Sequence, residues 1–327
     1  VPWGKAAGHL WPHICLLRPD LQRVLLGAVT KRIGAENIAL GHRCVAVEED
    51  PTRVTAHFVA PDGSTLPPAS GDVLIACDGV HSAVRAQFYP DEGPFCFRGL
   101  NLWRGTTVCK PYLTGASLAR VGARHSTIII YPLRNDYDGQ GNQLVNWVCE
   151  LEREVAVPVD WNKPGRLDDF FPVYRDWVFD WMDVPALIRG ARQILSYPMV
   201  DRDPLPRWSF GRVTLLGDAA HPMYPQGGNG GAQAILDAAA LARLFASEAN
   251  PAAALRAYEA ERLPVTSKIV MQNRTAPPNL LIDLVEQRTG DRPFERLEDV
   301  ISQDEMRAIM EDYQRTAGSH VQQISRR

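Results

Sequence analysis

Long apolar runs are missing from this chain. None of its 327 positions opens a stretch of about 18 apolar residues, so no transmembrane helix is expected. Charge of one sign is not in surplus either. Lys and Arg number 35 against 38 Asp and Glu, a formal net charge of -3. That balance gives no electrostatic case for nucleic acid or for an anionic membrane surface. Cysteine is sparse, and the six present (Cys15, Cys44, Cys77, Cys96, Cys109 and Cys149) never fall at C-x-x-C spacing. This excludes the common zinc and dithiol patterns. Several lie in apolar strand-like runs, Cys77 among them, and read as buried, reduced thiols of a cytoplasmic protein. No basic-then-apolar leader precedes the first motif, so export is not expected. Internal repeats and low-complexity tracts are absent too.

What is present is ordinary globular composition, 45% hydrophobic and 22% charged. The length is large for one core and suggests two closely packed domains. Positions 18–32 read as a helix whose apolar face is Leu21, Val24, Leu25, Ala28 and Val29. Strand-like segments follow at 44–47 and 53–60, the second turning at Asp62-Gly63 into a hairpin. Residues 73–77 form a continuous apolar strand of the buried parallel type, ending abruptly at Asp78-Gly79. From about Pro94 the texture changes to aromatic and β-branched strands at 100–108, 127–133 and 144–151, then amphipathic stretches at 167–179 and 184–192. This second layer reads as an antiparallel sheet with helices, inserted between two halves of the first domain. Positions 213–216 resume the buried-strand pattern, and helices follow at 229–246 and 251–273. The tail has helical periodicity at 297–313. The class is α/β: a parallel sheet, an inserted antiparallel sheet over 94–198 between 1–93 and 199–275, and C-terminal helices over 276–327.

The strongest motif spans Arg212 to Asp237. A buried strand ends at Gly217, where the missing side chain lets a ligand approach the backbone. Asp218 adds a carboxylate suited to accept hydrogen bonds from a polyol. Pro225 and the run Gly227-Gly228-Asn229-Gly230-Gly231 then lead into an apolar helix, which gathers backbone N–H groups and the positive end of a helix dipole at one point. A second strand end, Cys77-Asp78-Gly79-Val80-His81-Ser82-Ala83-Val84-Arg85, repeats the acid–glycine pair. There Ser82 can cap a short helix and Arg85 can face back toward the strand end. The third pattern, Arg18-Pro19-Asp20-Leu21-Gln22, is an arginine at a helix start that can reach a pyrophosphate from the side. Read without the others, it is more often a solvated helix end. His221 invites a general-base reading, but its place just after a strand end favours a hydrogen-bonded structural role. The charges of Asp201, Arg202 and Asp203 read as a local ion-pair network pinning a loop.

Together these motifs resemble the FAD-dependent aromatic hydroxylases related to para-hydroxybenzoate and salicylate hydroxylases, and most closely their phenazine hydroxylase branch. That branch shares wording like residues 144–149 and 197–206, and the likeness runs over nearly the whole chain, including 279–294. The resemblance implies a Rossmann-like FAD-binding parallel sheet, with the inserted sheet domain carrying the substrate. It implies FAD as cofactor, NADH or NADPH as co-substrate, and O₂ reacting through a flavin C4a-hydroperoxide to hydroxylate a small aromatic. No nucleophile or obligatory acid–base residue is then required. By the same resemblance Arg18 and Gln22 contact the FAD phosphates and Val45 meets the adenine through its backbone. Asp78, Gly79 and Arg85 serve the pyrophosphate and the nicotinamide cofactor. Gly217 and Asp218 hold the ribitol, while Pro225, Gly228, Asn229, Gly230 and Gly231 cradle the isoalloxazine. Candidate substrate contacts are Trp103, Arg104, Tyr131, Trp147, Tyr197, Met199 and Tyr224, Tyr224 first among them; each also reads as sheet-core packing, and Arg104 can either attract a carboxylate or sit in an ion pair. A homodimer is left open.

The chain departs from such enzymes in one respect. The strand, G-x-G-x-x-G turn and helix with which they open have no match, and the nearest pattern, Gly228-x-Gly230, has Gln233 where a glycine is needed. The parallel sheet is therefore expected to be incomplete on its N-terminal side by roughly two βα units of ~30 residues, leaving neighbouring strand edges exposed. Alternative readings are epoxidation or halogenation on the same fold, or a remnant unable to hold FAD. Halogenation calls for a lysine poised near the flavin, and none occurs between Lys163 and Lys268.

Overall fold

In a computed structural model the chain is described over residues 2–123, 125–225, 228–275 and 280–317. Gly227 of the glycine run and Asn279 of the tail lie outside the described residues. Helix α1 (Arg18–Ile33) begins with Pro19 in its first turn, where a missing N–H costs nothing. A three-stranded antiparallel meander follows: β1 (Arg43–Glu49), β2 (Val54–Val59) and β3 (Thr65–Gly71). At the hairpin tip Asp62 Oδ1 accepts the Ser64 N–H at 2.9 Å. The register of β1 shifts between Cys44 and Ala46, which leaves Val45 out of the ladder as a bulge. Strand β4 (Leu74–Ala76) and helix α2 (Ala83–Phe88) complete this part, with Ser82 Oγ capping α2 by accepting the Arg85 N–H.

The chain then builds a long antiparallel sheet from β5 (Cys96–Cys109), β6 (Ala119–Ala123), β7 (Ser126–Arg134) and β8 (Gln143–Glu152). One face is covered by α3 (Phe171–Tyr174), the small hairpin of β9 (Val178–Phe179) and β10 (Met182–Asp183), and α4 (Val184–Arg189). The helix expected over 167–179 is thus only one turn, because the aromatic run through Trp177, Phe179 and Trp181 favours the hairpin. Strand β11 (Ile194–Asp201) returns to the edge beside β5, giving the order β11-β5-β8-β7-β6. The division drawn between 198 and 199 therefore falls inside a strand, one whose pairing reaches Asp201 opposite Cys96.

Finally β12 (Ser209–Phe210) and β13 (Val213–Leu215) rejoin the first part, followed by α5 (Asn229–Ser247), α6 (Pro251–Thr275), α7 (Leu280–Thr289) and α8 (Gln303–Ala317). Strand β13 lies between β12 and β4 and pairs with β4 in parallel, Val213 opposite Leu74 and Leu215 opposite Ala76. All three residues of β13 are fully buried, as a central parallel strand requires. Strand β4 is an edge, with Ile75 37% exposed. The apolar positions of α1 are likewise uncovered: Val24 is 69% exposed and no residue of that helix is buried. Among the described residues, then, β4 and α1 each present an uncovered apolar face. Cys77 lies beyond the end of β4 and is exposed, contrary to the buried thiol expected there, and all six cysteines are free.

Two separate apolar cores result. The first joins Val47, Val54, Val84, Trp208, Val213, Leu215, Leu241 and Tyr258 around the parallel strands. The second joins Trp103, Trp147, Ile128, Ile130, Phe170 and Tyr174 beneath the long sheet. Trp103 stacks on Phe170 with ring centroids 5.2 Å apart, and Trp147 on the same ring at 6.2 Å. Each buried aromatic removes on the order of 150–250 Å² from water, roughly 4–6 kcal/mol of transfer free energy before entropy is charged against it. Gly105 faces Trp147 across the sheet, and a Cβ there would land inside the indole. Replacing Gly105 by alanine is expected to cost about 1–3 kcal/mol through overpacking, visible as a lowered urea midpoint with unchanged slope.

Candidate cofactor and substrate site

Two acids leave the same end of the parallel pair. Because Ala76 sits opposite Leu215, Asp78 and Asp218 follow adjacent strands at their carboxyl ends, where open α/β sheets hold ligands. Both acids are exposed. Asp78 Oδ2 accepts the backbone N–H of Ala83 at 2.8 Å, fixing the start of α2. Among the described residues no hydrogen bond to the Asp218 carboxylate is seen, and a Cβ on Gly230 would come within 3.8 Å of its Oδ1. Asp218 therefore lies against the first turn of α5, whose leading N–H groups have no partner within the helix. Gly228, at φ 68°, and Gly231 would direct a Cβ into open space. Gly79, at φ 78°, does the same beside Asp78. An exposed acid among glycines that leave backbone accessible is a cradle that fits a dinucleotide carrying a polyol.

The turn that carries Asp218 is held from below by buried charge. Residues Gly217–Ala219 form one 3-10 turn, and Gly217 adopts φ 62°, a left-handed conformation that favours glycine. Asp237 on α5 is fully buried and joins this turn to α6. Its Oδ2 accepts from His221 Nε2 at 2.6 Å and from the Gly217 N–H at 3.3 Å, while its Oδ1 accepts from Arg262 Nε at 2.7 Å. Arg262 also donates to Gln233 Oε1 at 2.6 Å. Burial works against ionisation of Asp237, but the hydrogen bonds and charges of His221 and Arg262 outweigh it and hold its pKa below the ordinary carboxylate value. His221 is thus a structural partner. Asp237, Gln233 and Arg262 were not foreseen as part of the site. A carboxylate placed on the apolar face of α5 was the available signal, since such a group must be paired.

Arg85 is found elsewhere than expected. Its side chain is 3% exposed and forms a bidentate pair with Glu92 at 2.5 and 2.8 Å. Its Nη1 donates to the carbonyls of Ala219 and Ala220 at 2.9 and 3.0 Å. With its donors so engaged, Arg85 ties α2 to the Asp218 turn and presents no free edge to a phosphate. Asn229 also turns inward, donating through Nδ2 to the Tyr313 hydroxyl of α8 at 2.6 Å. Its contribution at the crevice is backbone alone. Arg18 and Gln22 are exposed along an open groove lined by Leu21, Leu25, Leu26, Val29 and Ile38. Val45 is the bulged residue of β1, which frees its backbone as an adenine contact would need. Pro225 is exposed and accepts the Gly228 N–H at 3.1 Å. The charges at 201–203 are paired, though not with one another as expected: Arg274 of α6 pairs with Asp201 at 2.7 Å and with Asp203 at 2.6 Å, and Arg202 pairs with Glu92 at 3.2 Å. Arg202 lies 4.1 Å over the Phe95 ring.

The substrate candidates divide by sheet face. Side chains alternate along a strand, so Trp103 and Trp147 point into the core with Phe170 while Arg104 and Asn146 point the opposite way. The expectation that the two tryptophans line a substrate site does not hold. The other face carries Arg104, Tyr131, Tyr197 and Leu102. Leu102, Met199 and Tyr224 form a small apolar cluster there, with Tyr197 packed against it. Tyr224 is buried and donates its hydroxyl to the Cys96 carbonyl at 3.1 Å, so it anchors the loop that precedes α5. Arg104 Nε donates to Asn146 Oδ1 at 2.7 Å, and its Nη2 lies 3.5 Å from the Tyr131 hydroxyl.

Comparison with known proteins identifies the family and the fold. Residues 191–273 match a family model described as FAD binding domain. The chain is 41% identical over 298 residues to phenazine 1,6-dicarboxylic acid hydroxylase PhzS of Lysobacter antibioticus, covering 89% of this chain and 72% of that one. It is 31% identical to 3-amino-4-hydroxybenzoate 2-monooxygenase PtmB3 of Streptomyces platensis, covering 88% and 70%. Among solved structures, Klebsiella pneumoniae HpxO complexed with FAD and uric acid superposes with a TM-score of 0.64 at 26% identity, covering 94% of this chain and 69% of that one. A salicylate hydroxylase substrate complex shares the fold at TM-score 0.66 and 22% identity, covering 92% and 74%. The chain belongs to the FAD-dependent aromatic hydroxylases. These are flavoprotein monooxygenases, for which a reduced nicotinamide co-substrate is typical. No helix among the described residues is long and apolar enough to cross a membrane.

Proposed function

We propose that this chain hydroxylates a small aromatic or heteroaromatic compound, with FAD lying along the crevice between Asp78 and Asp218. The observation that carries the reading is the adjacent parallel pair β4 and β13. Each strand is followed by an acid at its carboxyl end, and the second acid lies against the glycine-lined start of α5. When bound, FAD supplies the redox chemistry that joins NAD(P)H oxidation to O₂ activation. The residues of this chain do the positioning. Asp218 would hold the ribityl chain by accepting hydrogen bonds from its hydroxyls, and the leading N–H groups of α5 would hold the isoalloxazine and favour negative charge there. Arg18 and Gln22 approach the phosphates from α1, and Gly79 lets the chain pass close to them. The Leu102–Met199–Tyr224 cluster and Tyr197 keep the far side of the site apolar and short of water. Residues 1–93 with the return after β11 hold the cofactor, and the long sheet holds the substrate.

The test is isotopic. With FAD, NADH or NADPH and ¹⁸O₂, an aromatic substrate should accelerate nicotinamide oxidation and emerge carrying one ¹⁸O atom. Faster nicotinamide oxidation with no labelled product from any aromatic compound screened would reject hydroxylation.

A further inference from the structure

We infer that Tyr313 of the C-terminal helix α8 is a positioning residue for the cofactor. It draws the Asn229 side chain away from the start of α5, so that the backbone N–H groups there stay open to the isoalloxazine. This role rests on the hydroxylase reading of the crevice and adds to it a residue from beyond the segment that matches the FAD-binding model.

A bridge of hydrogen bonds joins α5, α6 and α8. Asn229 Nδ2 donates to the Tyr313 hydroxyl at 2.6 Å, and that hydroxyl donates to Asn273 Oδ1 of α6 at 3.2 Å. Asn273 Nδ2 in turn donates to the Tyr224 carbonyl at 3.2 Å. Tyr224 and Asn229 stand on either side of the glycine run, so the bridge ties its two flanks together through the tail. Both amides are buried, Asn273 at 2% and Asn229 at 7% exposure. Amides paired in this way fix one another's orientation, because each lost partner would leave a buried polar atom unsatisfied. Tyr313 is half-buried, and burial pushes its pKa up to about 12, so the phenol keeps its proton and can donate.

The residue types define what the bridge does. An asparagine at a helix start ordinarily turns its side chain onto nearby backbone N–H groups. Among the described residues Asn229 makes no such bond, and the capping position is Gly228, which has no side chain to offer. The start of α5 is thus left without a side-chain cap, while Gly228 and Gly231 clear the space in front of it. Such a helix start costs stability unless a ligand takes its N–H groups. Tyr313 keeps it open by holding the nearby amide aside. The tail that carries Tyr313 is itself firmly seated. Ile301, just before α8, and Met306 within it are buried. Arg288 of α7 donates to Glu305 Oε2 of α8 at 2.9 Å and to the Val300 carbonyl at 3.0 Å.

A mutant cycle tests it, read by FAD titration and by the midpoint potential of the bound flavin. Tyr313→Phe should weaken FAD binding about 3- to 10-fold, the scale of one neutral hydrogen bond. Reduced FAD should lose about threefold more than oxidised FAD, which reads as a midpoint about 14 mV more negative for a two-electron couple. Asn229→Ser cuts the same link from the other end with a residue welcome at a helix start, and should show both losses. The double variant should lose little more than either alone, as coupled residues do. Met306→Ala loosens α8 without touching the hydroxyl. It should lower the thermal transition and leave FAD affinity and potential near wild type. Wild-type affinity and potential in Tyr313→Phe, losses that multiply in the double variant, or equal losses in Met306→Ala overturn the positioning role and leave the cofactor site standing. Should Tyr313→Phe fail to fold, Asn229→Ser decides alone, and wild-type values there overturn the role. Absence of saturable FAD binding by the wild-type protein would instead defeat the hydroxylase reading, and this role with it.

Discussion

Replacing Asp218 by alanine is expected to weaken FAD binding roughly 10- to 150-fold, the loss of one charge-assisted hydrogen bond of about 1.5–3 kcal/mol. The fold should survive, because the carboxylate is exposed and no hydrogen bond to it from another described residue is seen. The two effects are therefore separable: flavin fluorescence quenching would shift to higher FAD concentration while the thermal transition of the flavin-free protein stays in place. Asp218→Asn should fall between, since an amide oxygen can still accept but carries no charge. Unchanged FAD affinity in the alanine variant would remove Asp218 from the cofactor site.

A larger effect on stability is expected one layer down. Asp237→Asn leaves the volume of the site intact but strips the buried Arg262 of its counter-charge. Breaking a buried pair by removing one partner typically costs about 3–5 kcal/mol. Chemical denaturation should register that loss, and adding Arg262→Met to the same chain should recover much of it. FAD affinity should fall along with stability, because the Gly217 N–H and His221 both hang from the Asp237 oxygen that fixes the Asp218 turn. The pH dependence has a definite sign. The pKa of Asp237 is lowered in the folded protein, so its contribution is complete above the unfolded carboxylate value near about 3.9 and is lost as pH falls through the lower folded value. Asp237→Asn should therefore flatten the acid limb of the stability profile and leave the neutral limb parallel to wild type.

How much of this was legible beforehand depended on whether the decisive contacts were local. The strand ends at Asp78 and Asp218 and the glycine entrance to α5 were readable because strand, acid and glycine lie within a few residues of one another. The role of Arg85 was not, since its carbonyl partners at 219 and 220 are more than 130 residues away. Trp103 and Arg104 are neighbours in sequence, so alternation predicts that they face opposite ways. Which face the covering helices take is a tertiary fact, so alternation alone does not say whether the tryptophans or Arg104 face the core. Strand β11 was hidden by Pro198, which a sheet tolerates only at an edge or bulge, and β11 is an edge. The apolar stripe of α1 was read correctly as a pattern, but nothing in the pattern reveals that the stripe is uncovered. Asp237 was visible as the last residue of the strongest motif. Its pairing with Arg262 required two helices to be brought together.

The most direct measurement is a crystal structure with FAD bound. It should place the ribityl hydroxyls within hydrogen-bond distance of Asp218, the isoalloxazine against the N–H groups that open α5, and the phosphates on the side of Arg18 and Gly79. Flavin density anywhere other than across the ends of β4 and β13, with Asp218 left in solvent, would contradict the account.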